Sequence, residues 1–140
     1  MQKFIAALGA VAAILIVIVV GVTFVLSPVS GSSPAARTVN LTENANGTTV
    51  SIHIGDELRI TLGENPSTGY GWNYTVPEAF SVTMDRYTAP EGSGMVGQSG
   101  SHTWLLKAEQ KGTYEITWMY KRSWESTASD RPFTIKVVIE

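Results

Sequence analysis

From about residue 37 onward, apolar side chains fall at every second position of short runs. Val50, Ile52 and Ile54 alternate with polar residues until Gly55-Asp56 breaks the pattern. Leu58, Ile60 and Leu62 resume it up to Gly63. His102, Trp104, Leu106 and Ala108 share one phase of "SHTWLLKA". Tyr114, Ile116, Trp118 and Tyr120 do so in "TYEITWMY", and Phe133, Ile135, Val137 and Ile139 in "PFTIKVVI". A period of two places alternate side chains on one face of an extended strand, so each run predicts a strand with one face in a core. Shorter runs at 38–42, 72–76 and 80–84 predict three more strands. No segment in this part of the chain has a convincing helical period, and no internal repeat is visible. Short strands separated by Gly, Asp and Pro predict an all-β domain of seven to eight strands, a two-sheet sandwich of immunoglobulin type. Trp72, Trp104, Trp118, Phe133 and the aliphatic positions are its expected core. With no cysteine in the chain, that core has no disulfide to support it.

The N-terminus follows a different pattern. Phe4 to Leu26 is a run of apolar and small residues with no charge. Roughly 20 apolar residues span a bilayer, whereas a signal-peptide core holds about 7–15. Lys3 precedes the run and no charge follows until Arg37, which orients the N-terminus toward the cytoplasm. The expected organisation is a membrane anchor or signal segment over 1–26, a linker "SPVSGSSPAA" over 27–36, and one domain over 37–140. The domain is then displayed outside the cytoplasm, or secreted if the segment is cleaved. Sequons at Asn40, Asn46 and Asn73 agree with that location.

Charge and residue inventory narrow the function. A formal net charge of −2 lacks the basic surplus that nucleic acid requires. Without cysteine there is no thiolate nucleophile or thiolate metal site. His53 and His102 are the only histidines, and their separation forms no zinc pattern. Ser101 and His102 are adjacent, so in a strand they point to opposite faces and cannot pair as nucleophile and base. His102 reads instead as a strand side chain in or beside the core. "GSGMVGQSG" is glycine-rich but lacks the Lys-Ser/Thr of a phosphate-binding loop and precedes no helix. These features predict a monomer that is not an enzyme and carries no metal or cofactor.

What remains is concentrated in three loops: "NPSTGYGW" (65–72), "APEGSGMVGQSG" (89–100) and "KRSWESTASD" (121–130). In a Greek-key sandwich such loops gather at one end. Trp124 lies beyond its alternating strand, where an exposed tryptophan is a candidate interface anchor.

These motifs, over roughly residues 48–139, resemble the chagasin-type inhibitors of papain-like cysteine proteases. That family carries an Asn-Pro-x-Thr-Gly-aromatic loop, a glycine-rich loop and an Arg-Pro-Trp loop, in this order. Asn65, Pro66, Ser67, Thr68, Gly69 and Tyr70 match the first in full. Gly97, Gln98, Ser99 and Gly100 correspond to the second, with serine at 99 where glycine is frequent. Arg122, Ser123 and Trp124 correspond to the third, with serine in place of proline. By letters alone Arg131-Pro132-Phe133 looks closer, but Phe133 opens an alternating strand, so that tripeptide reads as structural. The resemblance implies a reversible, non-covalent inhibitor whose three loops enter the protease cleft as a wedge, the Asn-Pro-x-Thr-Gly loop in the middle. It also implies that Tyr70 and Trp72 pack beneath the tip. The competing reading is a surface immunoglobulin-like module that uses the same loops for a peptide, a sugar or an envelope partner.

Overall fold

The computed structural model describes residues 34–92 and 97–140; the apolar run Phe4–Leu26 lies outside the described residues. Among the described residues eight strands follow one another: β1 (Thr38–Leu41), β2 (Thr49–Ile52), β3 (Glu57–Glu64), β4 (Tyr70–Thr75), β5 (Phe80–Thr88), β6 (Gly100–Ala108), β7 (Gly112–Arg122) and β8 (Arg131–Ile139). They form two four-stranded sheets, ordered β1-β3-β6-β5 and β2-β8-β7-β4. The outer pairs β1–β3 and β2–β8 are parallel, and the remaining pairs are antiparallel. Two single 3-10 turns, Glu43–Ala45 and Pro66–Thr68, interrupt the strands. Among the described residues no helix is long and apolar enough to cross a membrane.

The alternation dictates this arrangement. Leu58, Ile60, Leu62, Trp104 and Leu106 of the first sheet are fully buried against Ile116, Trp118, Ile135 and Val137 of the second. Each such side chain removed from water contributes roughly 1.5–3 kcal/mol. Aromatic rings join the sheets at the centre, with Trp104 and Trp118 centroids 5.8 Å apart. Phe133 meets Trp118 edge-on at 5.7 Å and is buried. "RPF" therefore belongs to a core strand, with Arg131 lying over the Tyr120 ring at 4.8 Å.

Two elements depart from the expected pattern. Ile54 is half exposed rather than a third core position, because β2 ends at Ile52. Asp56 causes the break. Its carboxylate accepts the backbone N–H groups of His53 (3.0 Å) and Arg37 (2.9 Å), curling the chain at residue 53. Those two backbone donors hold the Asp56 carboxyl below its ordinary range. Strand β5 runs four residues beyond the expected 84, with a bulge between Val82 and Met84. It is an edge strand whose outer half faces solvent, so no apolar alternation marked its length. A bulge there also blunts pairing with other strands.

Phe133→Ala is expected to cost about 3–5 kcal/mol of stability as a truncated core aromatic, read as a lowered midpoint in thermal or denaturant unfolding. An unchanged midpoint would place Phe133 outside the core.

Candidate functional site

Strand register brings the three loops to one end of the sandwich. Glu64 pairs with Gly100, so the first loop leaves the first sheet where the second loop enters it. Tyr70 pairs with Arg122, so the first loop joins the second sheet where the third loop leaves it. The segment from Asn65 to Gly69 therefore bridges the two sheets and lies between the other loops.

The tip of this segment is tightly turned. Pro66 opens the 3-10 turn, and Gly69 closes it in the left-handed region at φ 78°. Proline fixes φ at a helical value, and glycine takes positive φ without steric cost. Asn65 organises the rest. Its Oδ1 accepts Ser67 N–H (3.2 Å) and the Ser67 hydroxyl (2.6 Å), and its carbonyl accepts the Thr68 hydroxyl (2.7 Å). Its Nδ2 donates to Gly97 O at 2.9 Å, tying the first loop to the second. Its N–H donates to the Tyr120 hydroxyl at 3.0 Å, tying it to β7. Ser67, Thr68 and Gly69 remain exposed, as do Pro66, Ser123, Gly97, Gln98 and Ser99.

The third loop leans on the first. Arg122 Nε donates to Thr68 O at 3.1 Å, and an Arg122 terminal nitrogen meets Glu125 at 2.5 Å. Glu125 pushes the Arg122 guanidinium further above its already high range. The guanidinium stacks over Tyr70 at 4.8 Å and lies 5.9 Å from the Trp124 ring. The indole of Trp124 passes close over Gly69, where a β-carbon would stand 2.5 Å from Cη2. A side chain at 69 would have to displace the indole, and the positive φ there also favours glycine. Trp124 is nevertheless 69% exposed, the largest value among the exposed large hydrophobic side chains of the described residues.

Tyr70 and Trp72 underlie the tip, packing on Tyr120 in tilted contacts at 5.3 and 4.9 Å. Trp72 Nε1 also donates to Gly63 O (3.0 Å), a bond from one sheet to the other. In the second loop Gly97 has φ 95°, whereas Ser99 needs no positive φ. Gly100 is the first residue of β6, and a β-carbon there would collide with Thr88 O and the Tyr87 ring. Tyr120, Glu125 and Thr127 are structural parts of the site that the sequence pattern did not single out. Tyr120 reads there only as a core-face position. Thr127 meets the Tyr70 hydroxyl at 2.8 Å and is itself held by Asp130, a contact 57 positions apart with no local signature.

Beneath the first two loops lies a charged cluster. His102 is flanked by Glu64 (2.6 Å) and Asp85 (2.5 Å) and stacks flat on Trp104. Tyr74 donates its hydroxyl to the other Asp85 oxygen at 2.6 Å. Burial, reinforced by the Asp85 charge, pushes the Tyr74 phenol up to about 12. Burial also pushes Asp85 upward, but the Tyr74 and His102 hydrogen bonds outweigh it and hold its carboxyl below the usual value. Among the described residues no group of His, Asp and Glu is arranged to hold a metal ion.

Comparison with known proteins gives a consistent set of relatives. The family model for chagasin family peptidase inhibitors matches residues 51–137. Amoebiasin-1 of Entamoeba histolytica is 34% identical over 102 residues, 73% of this chain and 100% of its own length. Chagasin of Trypanosoma cruzi is 25% identical over 95 residues, 64% of this chain and 86% of its own. The crystal structure of a cysteine protease inhibitor from Entamoeba histolytica matches with a TM-score of 0.69 at 37% identity, covering 76% of this chain and 99% of that one.

The Tyr74–Asp85 bond makes a pH prediction. A phenol raised to about 12 favours the neutral form when folded. Its contribution is complete below the ordinary tyrosine value near 10 and disappears as pH rises toward about 12. Asp85 has the opposite sign: its contribution is present above the ordinary carboxylate range and lost as pH falls through its lowered value. Tyr74→Phe should melt below wild type at neutral pH, and the gap should close in strong alkali. A gap that stays constant across the alkaline range would refute the bond's role.

Proposed function

We propose that this chain, which belongs to the chagasin family of peptidase inhibitors, blocks papain-like cysteine proteases by filling their active-site cleft with three loops. It is an inhibitor and not an enzyme. The observation that carries the wedge reading is the cross-linking of the loop tips: Asn65 bonds to the second loop while Arg122 and Trp124 bind the first. The described parts of the three segments thus form one surface whose internal contacts exist before any partner arrives.

Physical chemistry favours this surface as a reversible blocker. A preorganised tip loses little conformational entropy on binding. Ser67 and Thr68 are small enough for a narrow catalytic groove. The 3-10 turn holds the Asn65 carbonyl in internal hydrogen bonds, and Arg122 of the third loop holds the Thr68 carbonyl. A protease reads an extended strand, so these curled carbonyls are withheld from attack and the loop blocks without being cleaved. The second loop contributes main-chain groups along the cleft edge, in the manner of an added strand. Trp124 offers flat apolar area on the other side, and its exposure in the free chain leaves most of that area to be removed from water on binding. Serine at 123 and 99 in place of proline and glycine leaves the cross-links intact, since neither side chain is needed for them.

The proposal includes location. The uncharged stretch Phe4–Leu26 behind Lys3 supports an anchor that displays the domain outside the cytoplasm. Full-length protein should then sediment with membranes and be accessible to protease added to intact cells. Recovery in the soluble cytoplasmic fraction would contradict it.

Two substitutions test the wedge against papain. Thr68→Arg places a long charged side chain at the exposed tip and should abolish most inhibition, while stability falls by no more than about 1–3 kcal/mol for the two hydrogen bonds of the lost hydroxyl. Trp124→Ala should lose about 2 kcal/mol or more of binding, in the range of interface hot spots, with little change in melting temperature. Wild-type inhibition by both variants would refute the assignment of these loops, and absence of papain inhibition by the wild-type chain would favour a binding module without a protease target.

A further inference from the structure

The third loop, from Ser123 to Asp130, is fixed by strand pairing only at its ends, where Arg122 pairs with Tyr70 and Arg131 with Tyr120. Between them one backbone hydrogen bond closes within the loop among the described residues, from Asp130 N–H to Thr127 O at 3.2 Å. Ser123, Trp124, Glu125 and Ser126 are exposed, whereas Thr127 and Asp130 are half-buried. The Arg122–Glu125 ion pair is a third exposed on both sides, and such pairs add little in water. The segment that carries Trp124 needs another support, and Thr127 is the residue that reaches inward.

Thr127 and Asp130 form a closed unit. Thr127 N–H donates to one Asp130 carboxylate oxygen (3.1 Å), and its hydroxyl donates to the other (3.2 Å). Ser129 N–H donates to Thr127 Oγ1 at 3.2 Å. A threonine hydroxyl has one proton to give and two lone pairs, and an ionised carboxylate only accepts. Asp130 therefore takes the Thr127 proton. The 2.8 Å contact between the Tyr70 and Thr127 hydroxyls is then a bond that Tyr70 donates and Thr127 accepts. With Ser129 N–H on the other lone pair, the Thr127 hydroxyl is fully used.

Tyr70 consequently holds both ends of the segment that carries Trp124. Arg122 lies opposite it in the sheet and places its guanidinium over the ring at 4.8 Å. Thr127 takes its hydroxyl. Residues 123–126 are thus closed on a single side chain, and the Trp124 indole lies over the adjacent Gly69. We propose that Thr127 is a positioning residue for inhibition: by accepting the Tyr70 hydroxyl it closes this segment and holds Trp124 against the first loop. This rests on the inhibitor reading above. Packing beneath the tip requires only an aromatic ring, so the hydroxyl is what a phenylalanine at 70 would lack. Without the bond the unsupported span grows from 123–126 to 123–130, and its ordering is deferred to the moment of binding, where it costs affinity.

The test compares papain inhibition by the full-length chain with that by Tyr70→Phe, Thr127→Val, Thr127→Ser and the double variant Tyr70→Phe/Thr127→Val. Tyr70→Phe should weaken inhibition roughly three- to tenfold, the range of one ordinary hydrogen bond. Thr127→Val should weaken it at least as much, and Thr127→Ser, which keeps the hydroxyl, should recover most of that loss. The double variant should be no weaker than Thr127→Val alone, because the two side chains act through one bond; residues that touched the protease separately would give additive losses. Amide hydrogen exchange at Thr127, Ser129 and Asp130, without protease, should be faster in Tyr70→Phe than in wild type, although that variant retains the acceptor of each of these amides. Exchange in Tyr70→Phe stands if Thr127→Val fails to fold. If wild type does not inhibit papain, the inhibitor reading falls, and exchange alone decides whether Tyr70 closes the loop. Wild-type inhibition by Tyr70→Phe, additive losses in the double variant, Thr127→Ser as weak as Thr127→Val, or exchange unchanged by loss of the Tyr70 hydroxyl would each overturn the proposal.

Discussion

Two pairs of opposed residues fix the working end of this protein: Glu64 against Gly100 in one sheet, and Tyr70 against Arg122 in the other. Strand register is set by the buried face, because a one-residue slip would turn Leu58, Ile60 and Leu62 outward. Core packing therefore also determines which loop stems are neighbours. The short segment from Asn65 to Gly69 must cross from sheet to sheet, and its position between the other loops follows from that crossing.

Rigidity at this end does not come from burial. The tip residues are exposed, yet their polar groups bond to one another and to the adjoining loops. Asn65 alone contacts the second loop, β7 and two residues of its own turn. Arg122 holds a carbonyl of the first loop, a carboxylate of its own loop and two aromatic faces. The arrangement leaves small side chains and one indole facing solvent on a stiff support. The aromatic series Tyr70, Tyr120, Trp72 and Trp104 carries that support down into the core. Membership of the chagasin family makes the chain a peptidase inhibitor, and for the wedge proposed above the geometry gives a reason why such a loop can occupy a protease without serving as its substrate.

Most strands were legible because a period of two on a buried face is a local signal. Val50 and Ile52, Trp104 and Leu106, Trp118 and Phe133 all sit where alternation places them. The outer half of β5 was not legible, since an edge strand exposed on one side has no apolar phase to read. Ile54 misled for a related reason: the Asp56 carboxylate turns the chain before alternation ends. In the site, the Asn-Pro-Ser-Thr-Gly turn could be read locally, because Pro66 and Gly69 act through their own backbone angles.

The sequence by itself determined the all-β class, the two-sheet core, the three loops and the family they resemble. These depend on residue type and on spacing along the chain. The tertiary structure decided what connects distant positions. Only it shows that Trp124 lies over Gly69, that Asn65 reaches Gly97, and that Tyr70 meets Thr127. It alone places His102 between Glu64 and Asp85, residues separated from it by 38 and 17 positions. A hydrogen bond or ring contact of that kind is short in space but long in sequence, and no periodic pattern encodes its partner. The register of the buried faces had to be formed first, and the contacts that shape the wedge follow from it.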